Sequence, residues 1–170
     1  MKRIGGLALI MLGCVMIFGG CAGESKETVT DRKIPAGDIT EFYYTFENIN
    51  ANAFYQRYRF YSEDGKHLFY HETREKPGQY GPATEEDITS SGTAELSEEE
   101  WKEFLSFLKD GTVTARRDDT EAGDSGPWMF IYWKKDKGKY QVFEFASYEE
   151  RVRFEGFCSE LAQKKSGRGK

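Results

Sequence analysis

The sequence predicts an α+β domain: an antiparallel sheet of two β-hairpins running as a meander, with two helices packed on one face in two layers. Three observations predict it. Runs of aromatic and β-branched residues come in pairs separated by short glycine-containing turns, not by helical crossovers. Two helix starts are signed by capping boxes. The resulting order, three strands, a helix, two or three strands and a helix, suits antiparallel pairing with the helices on one side.

The first strand is Glu41-Phe-Tyr-Tyr-Thr-Phe46, with Phe42, Tyr44 and Phe46 on one face. Asn48, Asn50 and Asn52 mark a turn. FYQRYRFYS (54–62) and HLFYHET (67–73) read as a hairpin around Asp64-Gly65, residues suited to the positive φ angles of a two-residue turn. That turn sets Phe60 opposite Phe69 and Tyr58 opposite His71 on one face, expected to be core. It sets Tyr61 opposite Leu68 and Arg57 opposite Glu72 on the other, expected to be half wet. Arg74 to Leu96 reads as a long Gly/Pro/Ser/Thr-rich connection. The next helix opens with Ser97 and Glu100 as a capping box, and Leu96 is placed to staple onto Trp101. Its apolar stripe is Trp101, Phe104, Leu105 and Leu108, and Gly111 is expected to end it in the left-handed conformation.

Thr112 to Arg117 reads as a short strand and Asp118 to Pro127 as an acidic loop. WMFIYWK (128–134) and KYQVFEF (139–145) form a second hairpin around Asp136-Lys137-Gly138. A three-residue loop there puts Met129, Ile131, Trp133, Phe143 and Phe145 on one face. The final helix begins at Ser147 with Glu150, and its stripe is Phe154, Phe157, Cys158 and Leu161. No internal repeat is present.

Composition bounds the function. The chain has 170 residues, with 31% charged, 38% hydrophobic and 15% aromatic. Of 13 Phe, 10 Tyr and 3 Trp, all but Phe18 lie between Phe42 and Phe157, and that density of aromatics excludes a disordered chain. The formal net charge is −5, and setting aside Lys2 and Arg3 leaves 22 basic residues against 29 acidic ones. Affinity for phosphates needs Lys/Arg-driven counterion release, so no nucleic-acid partner is expected. The three cysteines are Cys14, Cys21 and Cys158. The first two lie in the export region, which leaves Cys158 alone and the domain held by packing.

Met1-Lys2-Arg3 is a positive start, Ile4 to Phe18 is an apolar run without charge, and Gly19-Gly20-Cys21 follows. This ending resembles a bacterial lipoprotein signal over about 21 residues. The resemblance implies diacylglyceryl transfer to the Cys21 thiol, cleavage that leaves Cys21 first, and anchoring by acyl chains in membrane lipid. Two chains are needed, since one gives only marginal, reversible binding. Met11-Leu12-Gly13-Cys14 is a second box with a shorter apolar run, and Ile4–Gly20 is just long enough to span a bilayer uncleaved. Residues 22–37 are polar and Pro/Gly-punctuated, a tether spanning roughly 20–24 Å. The expected organisation is therefore a signal peptide (1–20), a lipidated cysteine and tether (21–37), one globular domain (38–163) and a basic disordered tail (164–170). The hairpin-helix order also loosely resembles small domains of bacterial lipoproteins, and that resemblance implies no activity.

The catalytic inventory is thin. His67 and His71 share a strand face but are too far apart, about 13 Å, to share an ion. Cys158 lies on an apolar stripe, where cysteines are inert. The run Asp118, Asp119, Glu121, Asp124 fails the calcium-loop pattern, because position twelve would be Met129. No Walker loop, H-E-x-x-H, G-x-S-x-G or C-x-x-C occurs. One surface stands out: the wet face of the first hairpin, with Tyr55, Arg57, Arg59, Tyr61, Tyr70 and Glu72. Tyr and Arg concentrate binding energy at interfaces. The expectation is a non-enzymatic, outward-facing lipoprotein of the cell membrane, without cofactor or metal, that binds an unknown protein, peptide or glycan or serves a larger complex. The alternative is a small envelope hydrolase using paired carboxylates, for which a cleft with two carboxylates about 5–9 Å apart would speak.

Overall fold

The computed structural model describes residues 38–114, 127–133 and 140–166. In chain order these form β1 (Ile39–Asn48), β2 (Ala53–Glu63), β3 (Lys66–Lys76), β4 (Ile88–Glu95), α1 (Glu98–Leu108), β5 (Thr112–Thr114), β6 (Trp128–Trp133), β7 (Tyr140–Glu144) and α2 (Tyr148–Ser166). The described strands make one antiparallel sheet in the order β4-β3-β2-β1-β6-β7-β5. With two helices the domain is α+β, as expected.

The turn chemistry sets the register. Asp64 and Gly65 have φ of 51° and 77°, the left-handed pair that a two-residue hairpin turn requires. Phe60 therefore faces Phe69, Tyr58 faces His71 and Arg57 faces Glu72. At the other end of β2 the asparagines act as read: the Asn50 amide donates to Asn48 Oδ1 at 3.0 Å, and Asn52 turns the chain at φ 64°. The hairpin so formed sets Phe42 opposite Phe60.

Alternation then sorts side chains to two sides of the sheet. Phe42, Phe60, Phe69, Ile131, Phe143 and Val113 are fully buried, and side chains from both helices reach them. The Phe104 ring of α1 stacks on Phe60 at 4.0 Å, and Phe154 of α2 meets Phe42 edge-on at 5.6 Å. Burying each such ring contributes about 1.5–3 kcal/mol. The cap of α1 is the expected reciprocal pair, Glu100 N to Ser97 Oγ at 3.2 Å and Ser97 N to Glu100 Oε2 at 2.9 Å. At α2, Ser147 Oγ accepts from Glu150 N at 3.1 Å.

Several expectations need correction. The Arg74–Leu96 stretch is not one connection: β3 continues to Lys76, and Ile88–Glu95 is a strand, paired with β3 at the edge. ITSSGTAE carries no apolar alternation because most of it is exposed, and Gly92 lies over His71, where a Cβ would come 3.2 Å from Nε2. Gly111 is not left-handed. It is needed for close approach, since a Cβ there would lie 2.2 Å from Phe143 Cζ. In α1 the buried stripe is Trp101, Phe104, Phe107 and Leu108, with Leu105 half-buried. Phe107 is drawn in because α2 flanks α1, with Phe157 5.3 Å from its ring.

In the second hairpin Ile131 pairs with Gln141, whereas a loop confined to 136–138 would pair it with Phe143. The offset is two residues, so Met129, Ile131 and Phe143 keep their expected face. Lys164 and Lys165 do not belong to a frayed tail: α2 runs to Ser166, and both lysines bond to Glu100. The signal peptide, the tether, Cys14, Cys21, residues 115–117 of the strand expected to reach Arg117, the acidic run 118–124, the 136–138 turn and residues 167–170 lie outside the described residues. None of the described helices is long and apolar enough to cross a membrane.

Candidate functional site

The sheet side opposite Phe42 and Phe60 carries a connected set of polar and aromatic side chains. Pairing places Thr93, Tyr70, Arg59, Tyr43 and Phe130 in one row across β4, β3, β2, β1 and β6. The Arg59 guanidinium lies 4.0 Å from the centre of the Tyr61 ring and 5.4 Å from that of Tyr43. It also pairs with Glu41, whose neighbour across the strand is Tyr61. Its side chain keeps 35% exposure. A cation held between rings and still open to solvent is pre-organised for contact, because little rotamer entropy remains to be lost on binding. Tyr43 in turn meets Tyr132 of β6, centroids 6.1 Å apart.

One strand over, Tyr70 donates to Glu72, and Arg74 Nε donates to the same carboxylate at 2.6 Å. Glu72 is buried, and burial alone would raise its pKa; the bonds from Tyr70 and Arg74 outweigh this and hold it below the usual carboxylate range. Burial and the Glu72 carboxylate together push the Tyr70 phenol up to about 12, so it stays a donor across the physiological range.

The six residues expected on this face separate into two groups. Arg57, Arg59, Tyr61 and Tyr70 are half-exposed on one side of the sheet. Tyr55 shares that side but is only 7% exposed, so it is not available to a partner. Arg57 and Arg74 lie over its ring, at 5.3 and 4.7 Å, and Arg74 Nη1 donates to the Ala83 carbonyl of the segment between β3 and β4. Glu72 is closed off at the same end. The face is therefore closed at the Tyr55 end and open at the Arg59–Tyr61 end. Sequence reasoning missed Tyr43 and Glu41, which complete the cluster. The alternation of β1 placed them opposite Phe42 and Tyr44, but only the β1–β2 pairing brings them to Arg59.

The other candidates behave as core or scaffold. His71 is buried, and burial lowers its pKa. His67 stacks on Trp101 at 4.1 Å and its Nδ1 lies 3.0 Å from Ser62 Oγ. No cluster of His, Cys, Asp and Glu among the described residues is arranged to hold a metal. Cys158 is wholly buried, and burial pushes its thiol pKa well up. A cleft that the sequence did not announce opens between β1, β2 and α2, with Arg151 and Glu155 at its rim; Glu155 is the one carboxylate among its described lining residues. A scan of known families matches no family model, and neither the curated proteins nor the solved structures contain a match.

Proposed function

We propose that the chain is a lipid-anchored, outward-facing, non-enzymatic binding or accessory module of a bacterial cell membrane. In this reading Cys21 carries the lipid, residues 22–37 hold the domain clear of the headgroups, and the domain has two layers, with both helices behind the sheet. The open side of the sheet then engages a protein, peptide or glycan.

The observation that carries the reading is the Tyr43–Arg59–Tyr61–Tyr70 cluster: charged, aromatic, half-exposed and continuous across three strands. Exposed ion pairs and such stacks contribute little to stability, about 0–1 kcal/mol each. At an interface the same residue types carry a large share of the energy.

The reading is tested with a photo-crosslinking residue at Thr93, which is exposed and directly opposite Tyr70, and another at Lys102, exposed on α1. Irradiation of living cells should give a discrete adduct from position 93 and none from 102. No adduct from 93, or the same adduct from both, would contradict the reading.

A further inference from the structure

A second site lies on the Phe42/Phe60 side of the sheet and is independent of the Tyr/Arg cluster. There β1, β2 and the first turns of α2 enclose a cleft of about 330 Å³. Its walls are aromatic. The Tyr44 and Tyr58 rings stand 5.7 Å apart, and those of Phe46 and Phe54 6.2 Å apart. Its charges come from one helix, where Arg151 and Glu155 are one turn apart.

The two charges pair with each other but are not closed off from solvent. Arg151 Nε lies 3.5 Å from Glu155 Oε1 but is buried without a hydrogen-bond acceptor. The Tyr44 hydroxyl already donates to that same Oε1, at 2.5 Å. Glu155 Oε2 takes no part in either contact, and the Arg151 and Glu155 side chains keep 28% and 34% exposure. Both side chains line the cleft, so each presents its charge to a molecule bound there.

The charge pattern selects the ligand. A simple anion drawn to Arg151 would meet the Glu155 carboxylate, and a simple cation drawn to Glu155 would meet Arg151. A molecule with both charges close together satisfies both. In an α-amino acid the ammonium nitrogen and the carboxylate carbon are about 2.5 Å apart across Cα. That separation suits two side-chain charges 3.5 Å apart. The aromatic walls suit an apolar side chain, and the volume is at the small end for ligand pockets, about one residue and not a long peptide. We propose that this cleft binds a free α-amino acid with an apolar side chain, its carboxylate on Arg151, its ammonium on Glu155 Oε2, and its side chain against Phe46, Phe54 and Tyr58.

The test is calorimetric titration of the full chain in detergent with L-phenylalanine and L-leucine, then with N-acetyl-L-phenylalanine and L-phenylalaninamide. The free amino acids should bind saturably. Loss of either ligand charge should weaken binding about tenfold or more, as expected for one charge-assisted pair. Arg151→Gln should bind the amide as well as it binds free phenylalanine, and Glu155→Gln should do the same for the acetylated form. Three results would overturn the proposal: no saturable binding of either amino acid at millimolar concentration, equal affinity for the free and blocked forms, or saturable binding of N-acetylglucosamine in their place. The blocked ligands act on the unaltered chain, so the outcome stands even if a variant folds poorly.

Discussion

Replacing Glu100 by Gln would measure how α1 and α2 are clasped. Glu100 Oε2 accepts from Ser97 N and from Lys165 Nζ, each at 2.9 Å, and Oε1 accepts from Lys164 Nζ at 2.8 Å. Burial alone would raise the carboxyl pKa, but the bonds from both lysines and the cap amide bring it from the ordinary 4.5 down to about 2. A group whose folded pKa is depressed stabilises the fold above its unfolded pKa, and that contribution is lost as pH falls toward the folded value. The window here runs from 4.5 down to about 2. A drop of that size is worth about 3 kcal/mol at most. Lys164 is half exposed and screened, whereas Lys165 is nearly buried, so about 2 kcal/mol is the expected figure. Gln keeps an oxygen for the Ser97 amide, so the loss reports the charge and not the cap. In urea unfolding at neutral pH the midpoint of Glu100→Gln should fall by about 1 M, taking a slope of about 2 kcal/mol per M. The gap between the two proteins should close as pH falls through the window. A variant within about 0.5 kcal/mol of the parent, the ordinary range of surface substitutions, or a gap that persists unchanged in acid, would refute the clasp.

Three further outcomes are expected. Gly111→Ala would drive a Cβ to 2.2 Å from Phe143 Cζ and 2.8 Å from the Glu144 carbonyl oxygen, costing about 3 kcal/mol or more, while Gly156→Ala, with nothing within 4 Å, should gain about 0.5–1 kcal/mol; thermal melts that move the same way would contradict the packing. Cys158→Ser should cost about 1–3 kcal/mol by placing a hydroxyl in an apolar seam, and the native thiol should react slowly with a thiol reagent; fast labelling would show that the seam opens. Cys21→Ala should abolish fatty-acid labelling and leave the precursor uncleaved; retained label would remove Cys21 as the anchor.

Local signals made most of the elements legible. Asp64-Gly65 specified both the turn and the face of every residue in the first hairpin, and Ser97 with Glu100 specified where α1 begins. Edge and long-range features were not legible, for physical reasons. β4 has neither alternation nor apolar character, because an exposed edge strand buries almost nothing, and pairing with β3 supplies what its sequence does not. β6 lies beside β1 through a contact about 90 residues long in sequence, which no local pattern encodes. Gly111 mimicked a helix stop, while its real constraint is the Phe143 ring. The binding face was half legible: the hairpin register placed Arg59, Tyr61 and Tyr70 together, but Tyr43 joins them only through β1, and the closure of Tyr55 depends on where Ala83 comes to lie.

Whether the Arg59 cluster is an interface or decoration is decided by one comparison. Arg59→Ala removes the guanidinium between Tyr43 and Tyr61 and leaves the buried core untouched. Its melting temperature should stay within about 5 °C of the parent, since loss of one partly exposed ion pair and stack costs about 1 kcal/mol. The yield of the adduct from the crosslinker at position 93 should fall by about fivefold or more, the mark of a residue contributing over about 1 kcal/mol to binding. An unchanged adduct yield at an unchanged melting temperature would contradict the account and return the Tyr/Arg side of the sheet to ordinary protein surface.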